Sequence, residues 1–243
     1  MNHRYLQCLL CFGLCAASVQ VLAADVLKLL YEIREPLSFR DERGKLTGLV
    51  VTPVEQAMTA AKISSLWIET PFKRQLSMVE ANDEAVCAVG LYKNKDRQRF
   101  AKFSHTILRS MDRPSVILAH RDFQPDKGLD LLTILSIPGI KILKKDTASY
   151  GSAIDDLIER SNITVVSTTA EAMNMAKMIA AKRADFILTQ EGEALNMIKS
   201  TGEEGKLHIV RPLGMPQGPE RYLMCSERVS DELLQRFNKA LVK

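Results

Sequence analysis

Histidine and tryptophan are scarce in this chain, four and one among 243 residues. His3, His105, His120 and His208 stand far apart, so no His-Glu-x-x-His helix is present to hold zinc. Gly-x-Ser-x-Gly and P-loop patterns are also missing, which removes two common signatures of hydrolases and nucleotide-phosphate binders. Lys and Arg number 33 against 29 acids, and the two signs are mixed throughout. No basic block tracks a phosphate backbone, so nucleic acid is not an expected partner. Internal repeats and low-complexity segments are absent. Beyond Leu22 no apolar run is long enough to span a bilayer.

What is present begins with an apolar N-terminus. Arg4 is the only charged residue before Asp25, Leu6 to Leu22 is mostly apolar, and the run closes on Val21-Leu22-Ala23-Ala24. A positive start, an apolar centre and a small-residue exit make a secretory signal, expected to be cleaved after residue 23. The competing reading is an uncleaved anchor, which Gly13, Ser18 and Gln20 weaken. Phe12-Gly13-Leu14-Cys15 lacks the small residues of a lipoprotein signal. Export implies a periplasmic location. Three cysteines leave with the signal, and Cys87 and Cys225 remain. They are either a disulfide or two buried thiols in strands.

Short apolar runs then alternate with helical patterns. Expected strands are Val26–Tyr31, Leu66–Thr70, Ala85–Gly90, Ser115–His120, Ile140–Leu143, Ile163–Ser167, Ala184–Thr189, Leu207–Arg211 and Arg221–Ser226. Most lack polar alternation, as strands buried on both faces do. Thr52-Pro53-Val54-Glu55 and Thr168-Thr169-Ala170-Glu171 read as capping boxes, and Ser230-Asp231-Glu232 reads as a third helix start. The methionines at 173, 175 and 178 read as core filling. Strand–helix alternation predicts parallel α/β sheets, and the length suits two of them. Breaks fall at Met111-Asp112-Arg113-Pro114 and within the Pro- and Gly-rich 212–219. The expected division is signal 1–23, first lobe 24–112, second lobe 113–213, and a return to the first lobe over 214–243. Two chain crossings suit hinge closure over a ligand.

Several motifs resemble one family, the bacterial extracellular solute-binding proteins of family 3, the polar amino-acid type. Residues 36–48 (PLSFRDERGKLTG) are similar to its opening segment. Gly90-Leu91-Tyr92-Lys93 through Arg97, followed by Phe103-Ser104, resembles its strand and carboxylate-clamping Arg. Lys144 to Gly151 resembles its Gly-Ser/Thr loop at a helix start, and Arg183 to Gln190 its Gly-Arg-x-Asp-Ala segment. The resemblance implies a two-lobed periplasmic binding protein type II fold, each lobe a mainly parallel sheet flanked by helices with a ligand cleft between. It implies Arg97, Phe72, Arg34, Tyr92, Thr147, Ser149, Tyr150 and Gln190 as ligand contacts, no cofactor, no metal and no catalysis. A guanidinium fork fits a carboxylate, and a helix start offers free N–H groups. Phe72 also fits a core stripe with Leu76 and Val79, and Tyr150 also fits hinge packing.

The departures from the family pattern narrow the ligand. Gln190 is neutral where amino-acid binders carry an acid for the ammonium, Val50 replaces an Asp, and Arg34 adds a cation where some members have an aromatic. A cationic cleft for a small, carboxylate-bearing solute is expected, unless Glu32, Glu35 or Glu191 supplies the missing charge. The expected role is delivery to an ABC permease by a monomer. The alternatives are an accessory protein acting on a membrane sensor and, more remotely, an enzyme on the same fold.

Overall fold

The computed structural model describes residues 26–108 and 115–241, so the expected signal segment and the 109–114 crossing lie outside the described residues. The chain runs β1 Leu27–Tyr31, β2 Phe39–Arg40, β3 Leu46–Thr47, α1 Val51–Ala60, β4 Ser65–Glu69, α2 Phe72–Ala81, β5 Val86–Tyr92, a 3₁₀ turn Arg97–Arg99 and β6 Lys102–Phe103. It continues with β7 Ser115–His120, α3 Leu131–Leu135, β8 Lys141–Lys145, α4 Ser152–Arg160, β9 Thr164–Thr168, α5 Ala172–Ala180, β10 Phe186–Gln190, α6 Glu191–Thr201 and β11 Leu207–Val210. It ends with β12 Arg221–Cys225 and α7 Asp231–Leu241.

These strands form two sheets, ordered β4-β1-β5-β12-β6 and β11-β7-β10-β8-β9. In the first, β4, β1 and β5 are parallel, while β12 runs antiparallel to β5 and β6. In the second, β9, β8 and β10 are parallel, with β7 antiparallel to β10 and β11. Each sheet is thus a parallel trio entered by one antiparallel strand that follows a crossing. Leu108, the last described residue before the first crossing, pairs with Arg221 at the start of β12: the Arg221 N–H donates to the Leu108 carbonyl at 2.9 Å, and the Leu108 N–H donates back at 3.3 Å.

The apolar runs are continuous because both faces of each sheet are covered. Leu29 and Cys87 face the cluster with α1 and α7, while Leu30 and Ala88 face the cluster with α2. In the second lobe Leu118 and Ile187 pack with α5 and α6, and Ile117 and Phe186 with α3 and α4. Met175 and Met197 belong to that filling. A strand buried on both faces needs no alternation, and β5, VCAVGLY, has none.

Two expected helix starts differ from the structure. α1 begins at Val51 with Val50 at its N-cap and no side-chain cap; Thr52 lies inside the helix and meets the Thr47 hydroxyl at 3.2 Å. The turn starts early because Gly48, at φ +133°, carries a conformation in which a Cβ would overlap the Leu37 carbonyl. α5 begins at Ala172; Thr168 belongs to β9, and the Glu171 side chain makes no cap. The third start is as read, with Ser230 Oγ accepting the Leu233 N–H at 3.2 Å.

The register sets Cys225 opposite Cys87, and the two are joined by a disulfide with Cα atoms 4.0 Å apart. Of the two readings left open by the sequence, the structure shows the bond. It closes a 138-residue separation and fastens the returning strand to the first sheet. Among the described residues no helix is long and apolar enough to cross a membrane. Replacing both cysteines by alanine is expected to lower unfolding free energy by about 2–4 kcal/mol, the usual contribution of a long-loop disulfide. Urea unfolding of the variant against the oxidised protein measures this, and an unchanged midpoint would count against the bond.

Candidate functional site

Between the lobes lies a cavity of about 110 Å³. A dry cavity of roughly 150 Å³ accepts benzene, so the closed cleft suits a small solute. The first lobe contributes the segment after β1, the end of β5 and the 3₁₀ turn. The second contributes the 145–150 segment, the end of β10 and the first turn of α6. Arg221, at the crossing, completes the wall.

Arg97 is placed by local backbone chemistry. Asn94 Oδ1 accepts its N–H at 2.9 Å and starts the turn. The side chain then reaches back, donating from Nη1 to the Tyr92 carbonyl at 2.8 Å and from Nη2 to the Thr147 carbonyl at 3.5 Å across the cleft. It is 5% exposed, and its Cζ lies 5.7 Å from the Phe72 ring centre. Burial pushes its pKa down to about 10; Asp155 and Tyr92 offset this in part, and neighbouring Arg221 adds to the fall. Among the described residues it has no carboxylate in ion-pair contact.

Three other cations are already matched. Arg34 forms a two-pronged pair with Glu193, through Nε to Oε1 and through Nη2 to Oε2 at 3.0 Å. Glu193 is 1% exposed, sits in the first turn of α6 and accepts the Thr189 hydroxyl at 2.9 Å. Burial alone would raise its pKa, but Arg34 and Arg221 hold it below the ordinary carboxylate range. Burial likewise works against Arg34, and Glu193 outweighs it, so the Arg34 pKa is raised. Lys145 Nζ meets Glu32 at 2.5 Å and Glu171 at 2.8 Å. Lys73 meets Asp146 at 2.7 Å. The Arg34, Lys145–Glu32 and Lys73 pairs all join one lobe to the other, so the lobes are closed on one another.

Seven of the expected contact residues line the cavity: Arg97, Phe72, Arg34, Tyr92, Ser149, Tyr150 and Gln190. Thr147 does not; it is exposed at φ +60°, and its hydroxyl donates to the Asp146 carbonyl at 2.6 Å. α4 starts later than the sequence implied, at Ser152, and Asp155 in its first turn occupies the loop. Asp155 accepts the Ser149 hydroxyl and, at 3.0 Å, the Tyr150 N–H, while the Gly151 N–H is held by Ser149 Oγ. Donors expected for a bound anion are therefore engaged internally. Phe72 serves both readings, since it packs with Leu30 and Val79 and also stands in the cavity wall, 5.4 Å from Lys145 Nζ. Tyr150 is likewise both packed and in the wall. Of the acids named from sequence, Glu32 lines the cavity; Glu35 and Glu191 do not. Sequence reasoning missed Arg221 and Glu193. Arg221 follows a Pro/Gly connector that masks its return to the cleft, and Glu193 reads as an ordinary acid at a helix start.

No protein-family model matches the chain, and no curated protein matches it in sequence. Solved structures do. An ancestral arginine-binding protein bound to arginine superposes with a TM-score of 0.69 at 18% identity, over 89% of this chain and 90% of that one. The fold is that of periplasmic binding proteins. A chain from a structure of glutathione import via GshT and the cystine ABC importer TcyBC of Streptococcus mutans gives 0.68 at 16% identity, over 89% and 87%. A histidine kinase sensor domain with similarity to periplasmic binding proteins gives 0.66 at 18%, over 89% and 88%. Among the described residues no cluster of His, Cys, Asp and Glu could hold a metal ion.

Glu32 carries a pH signature. Burial, then hydrogen bonding with Glu171, raises its pKa from 4.5 to about 7, against the pull of Lys145. The folded protein therefore holds a proton that the unfolded chain has released over that interval. Its contribution to stability is full below about 4.5 and is lost as pH rises through about 7. Glu171, shifted the other way, acts below the ordinary carboxylate range. Glu32→Gln is expected to gain stability relative to wild type between pH 5 and pH 8, on the order of 1 kcal/mol. Parallel urea titrations at the two pH values check this.

Proposed function

We propose that the chain is an exported, periplasmic solute-binding protein that captures a small polar, carboxylate-bearing solute by closing its two lobes, and presents it to an ABC permease. The observation that carries this reading is Arg97: a guanidinium 5% exposed in the wall between the lobes, with no carboxylate of its own. Burying an uncompensated cation is costly, and a ligand carboxylate would supply the missing charge in fork geometry. We assign residues 24–112 and 214–243 to the first lobe and 113–213 to the second, a division that suits hinge closure. Tyr92, Phe72 and Tyr150 form aromatic walls, and Arg34 braces the closed state through Glu193. Closure is a property of the binding cycle, and a monomer suffices for it.

A second reading has one observation in its favour. The ion pairs that close the lobes belong to the protein itself, so a closed form can dock on a membrane sensor without a solute. The sensor domain with the same fold lends that reading weight. Both readings are of binding and not of catalysis.

A thermal-shift and calorimetric screen of small carboxylates separates them. On the transport reading a carboxylate stabilises the protein, and Arg97→Ala weakens its binding at least tenfold, about 1.4 kcal/mol. If no carboxylate shifts the protein, the solute-binding reading fails and the sensor reading takes its place.

A further inference from the structure

Arg97 is not the only guanidinium in the cavity without a carboxylate. Arg221, the first residue of β12, is 5% exposed and stands 4.5 Å from the Tyr92 ring centre. It donates from Nη1 to the Gly90 carbonyl at 2.9 Å and from Nη2 to the Tyr92 hydroxyl at 3.0 Å. Gly90 holds φ +80°, a Cβ there would crowd Val50, and the pairing of β5 with β12 shifts register across it, between Tyr222 and Leu223. Arg97 and Arg221 are thus hung on the same tyrosine, one at its backbone carbonyl and the other at its hydroxyl.

The acids of the cavity make no ion-pair contact with these two, although Glu193 and Glu32 act on Arg221 from further off. Glu193 is taken by Arg34, and Glu32 by Lys145. Lys145 holds Glu171 as well as Glu32, and among the described residues no carboxylate is in ion-pair contact with Arg97 or Arg221. The pKa of Arg221 is lowered by burial first, as is that of Arg97, and nearby carboxylates do not restore it. Each carboxylate of the cavity wall already touches a cation, so an ammonium on the ligand would compete with Arg34 or Lys145 for one.

A third group completes the picture. Gln190 is 6% exposed and lines the cavity. Its Nε2 donates to Ser115 Oγ at 3.0 Å, while its Oε1 has no partner. A buried amide oxygen left open is an acceptor waiting for a neutral donor.

We propose that the cleft takes a short hydroxy-dicarboxylate, one carboxylate on Arg97, the second on Arg221 and the hydroxyl donating to Gln190. This rests on the solute-binding reading and sharpens it: Arg221 and Gln190 form a second anion subsite and a selector against amino acids.

Calorimetry with matched probes tests the proposal. Malate and 2-hydroxyglutarate supply both acids and a hydroxyl. Succinate and glutarate lack the hydroxyl, aspartate and glutamate replace it with an ammonium, and lactate lacks the second acid. A hydroxy-diacid is expected to bind at least about tenfold more tightly than the bare diacid, and about a hundredfold more tightly than lactate or the amino diacid. Arg221→Lys should erase the advantage over lactate. Gln190→Glu, which needs no loss of Arg221, should weaken the hydroxy-diacid and move preference toward the amino diacid. If lactate or an amino diacid binds wild type as tightly, or another carboxylate binds through Arg97 with no effect of Arg221→Lys, the proposal falls and the solute-binding reading stands. If no carboxylate binds at all, both fall.

Discussion

Guanidinium groups do not enter a closed cavity without something to balance them, and the space between the two lobes is organised by that requirement. Arg34, Arg97, Lys145 and Arg221 converge there against Glu32 and Glu193. Pairing Arg34 with Glu193 and Lys145 with Glu32 offsets the desolvation of those four groups through hydrogen bonds, and Glu171 adds a second acid on Lys145 while Glu32 keeps its proton up to about pH 7. Each pair also spans the cleft. The same contacts that neutralise the cavity therefore hold the lobes together, and the remaining imbalance falls on the two arginines anchored to Tyr92. The departures of the cavity from amino-acid binders, a neutral Gln190 and an apolar Val50, point in one direction. They remove acids from the wall, and the proposal of an anionic solute rests on that.

The sheets make this arrangement possible. Each has a parallel trio whose strands aim their ends at the cleft, and each admits an antiparallel strand after a crossing. The site is accordingly assembled from strand ends and the turns that follow: Tyr92 at the end of β5, Lys145 at the end of β8, Gln190 at the end of β10. These positions are rigid because the strands behind them are buried on both faces. Long side chains reach from them, and their hydrogen bonds to backbone carbonyls fix where the charged ends lie.

Much of this was legible in the sequence. Every expected strand is present within a residue or two, because a run such as Ser115–His120 has few ways to be buried except inside a sheet. The ends of helices were less legible. Thr52 and Thr168 have the chemistry of caps, but the strained turn at Gly48 starts α1 early, and the pairing of β9 with β8 takes Thr168 into a strand. At the site, the residues of short motifs near strand ends line one cavity, while Thr147 lies outside it beside a loop that Asp155 holds. Arg221 and Glu193 could not be read, since their importance depends on partners far along the chain. Arg34 meets Glu193 at a separation of 159 residues, a distance that no local pattern records.

The place of β12 between β5 and β6 sets an order on the making of the molecule. β6 pairs in the first sheet only through β12, which lies near the end of the chain. All strands of the second sheet lie between residues 115 and 210, so that lobe has its whole sheet before β12 is synthesised. The lobe begun first is thus the one finished last. A chain truncated after the second sheet would keep one lobe with every strand it needs and leave the other with a gap in its middle, together with a cysteine that has no mate.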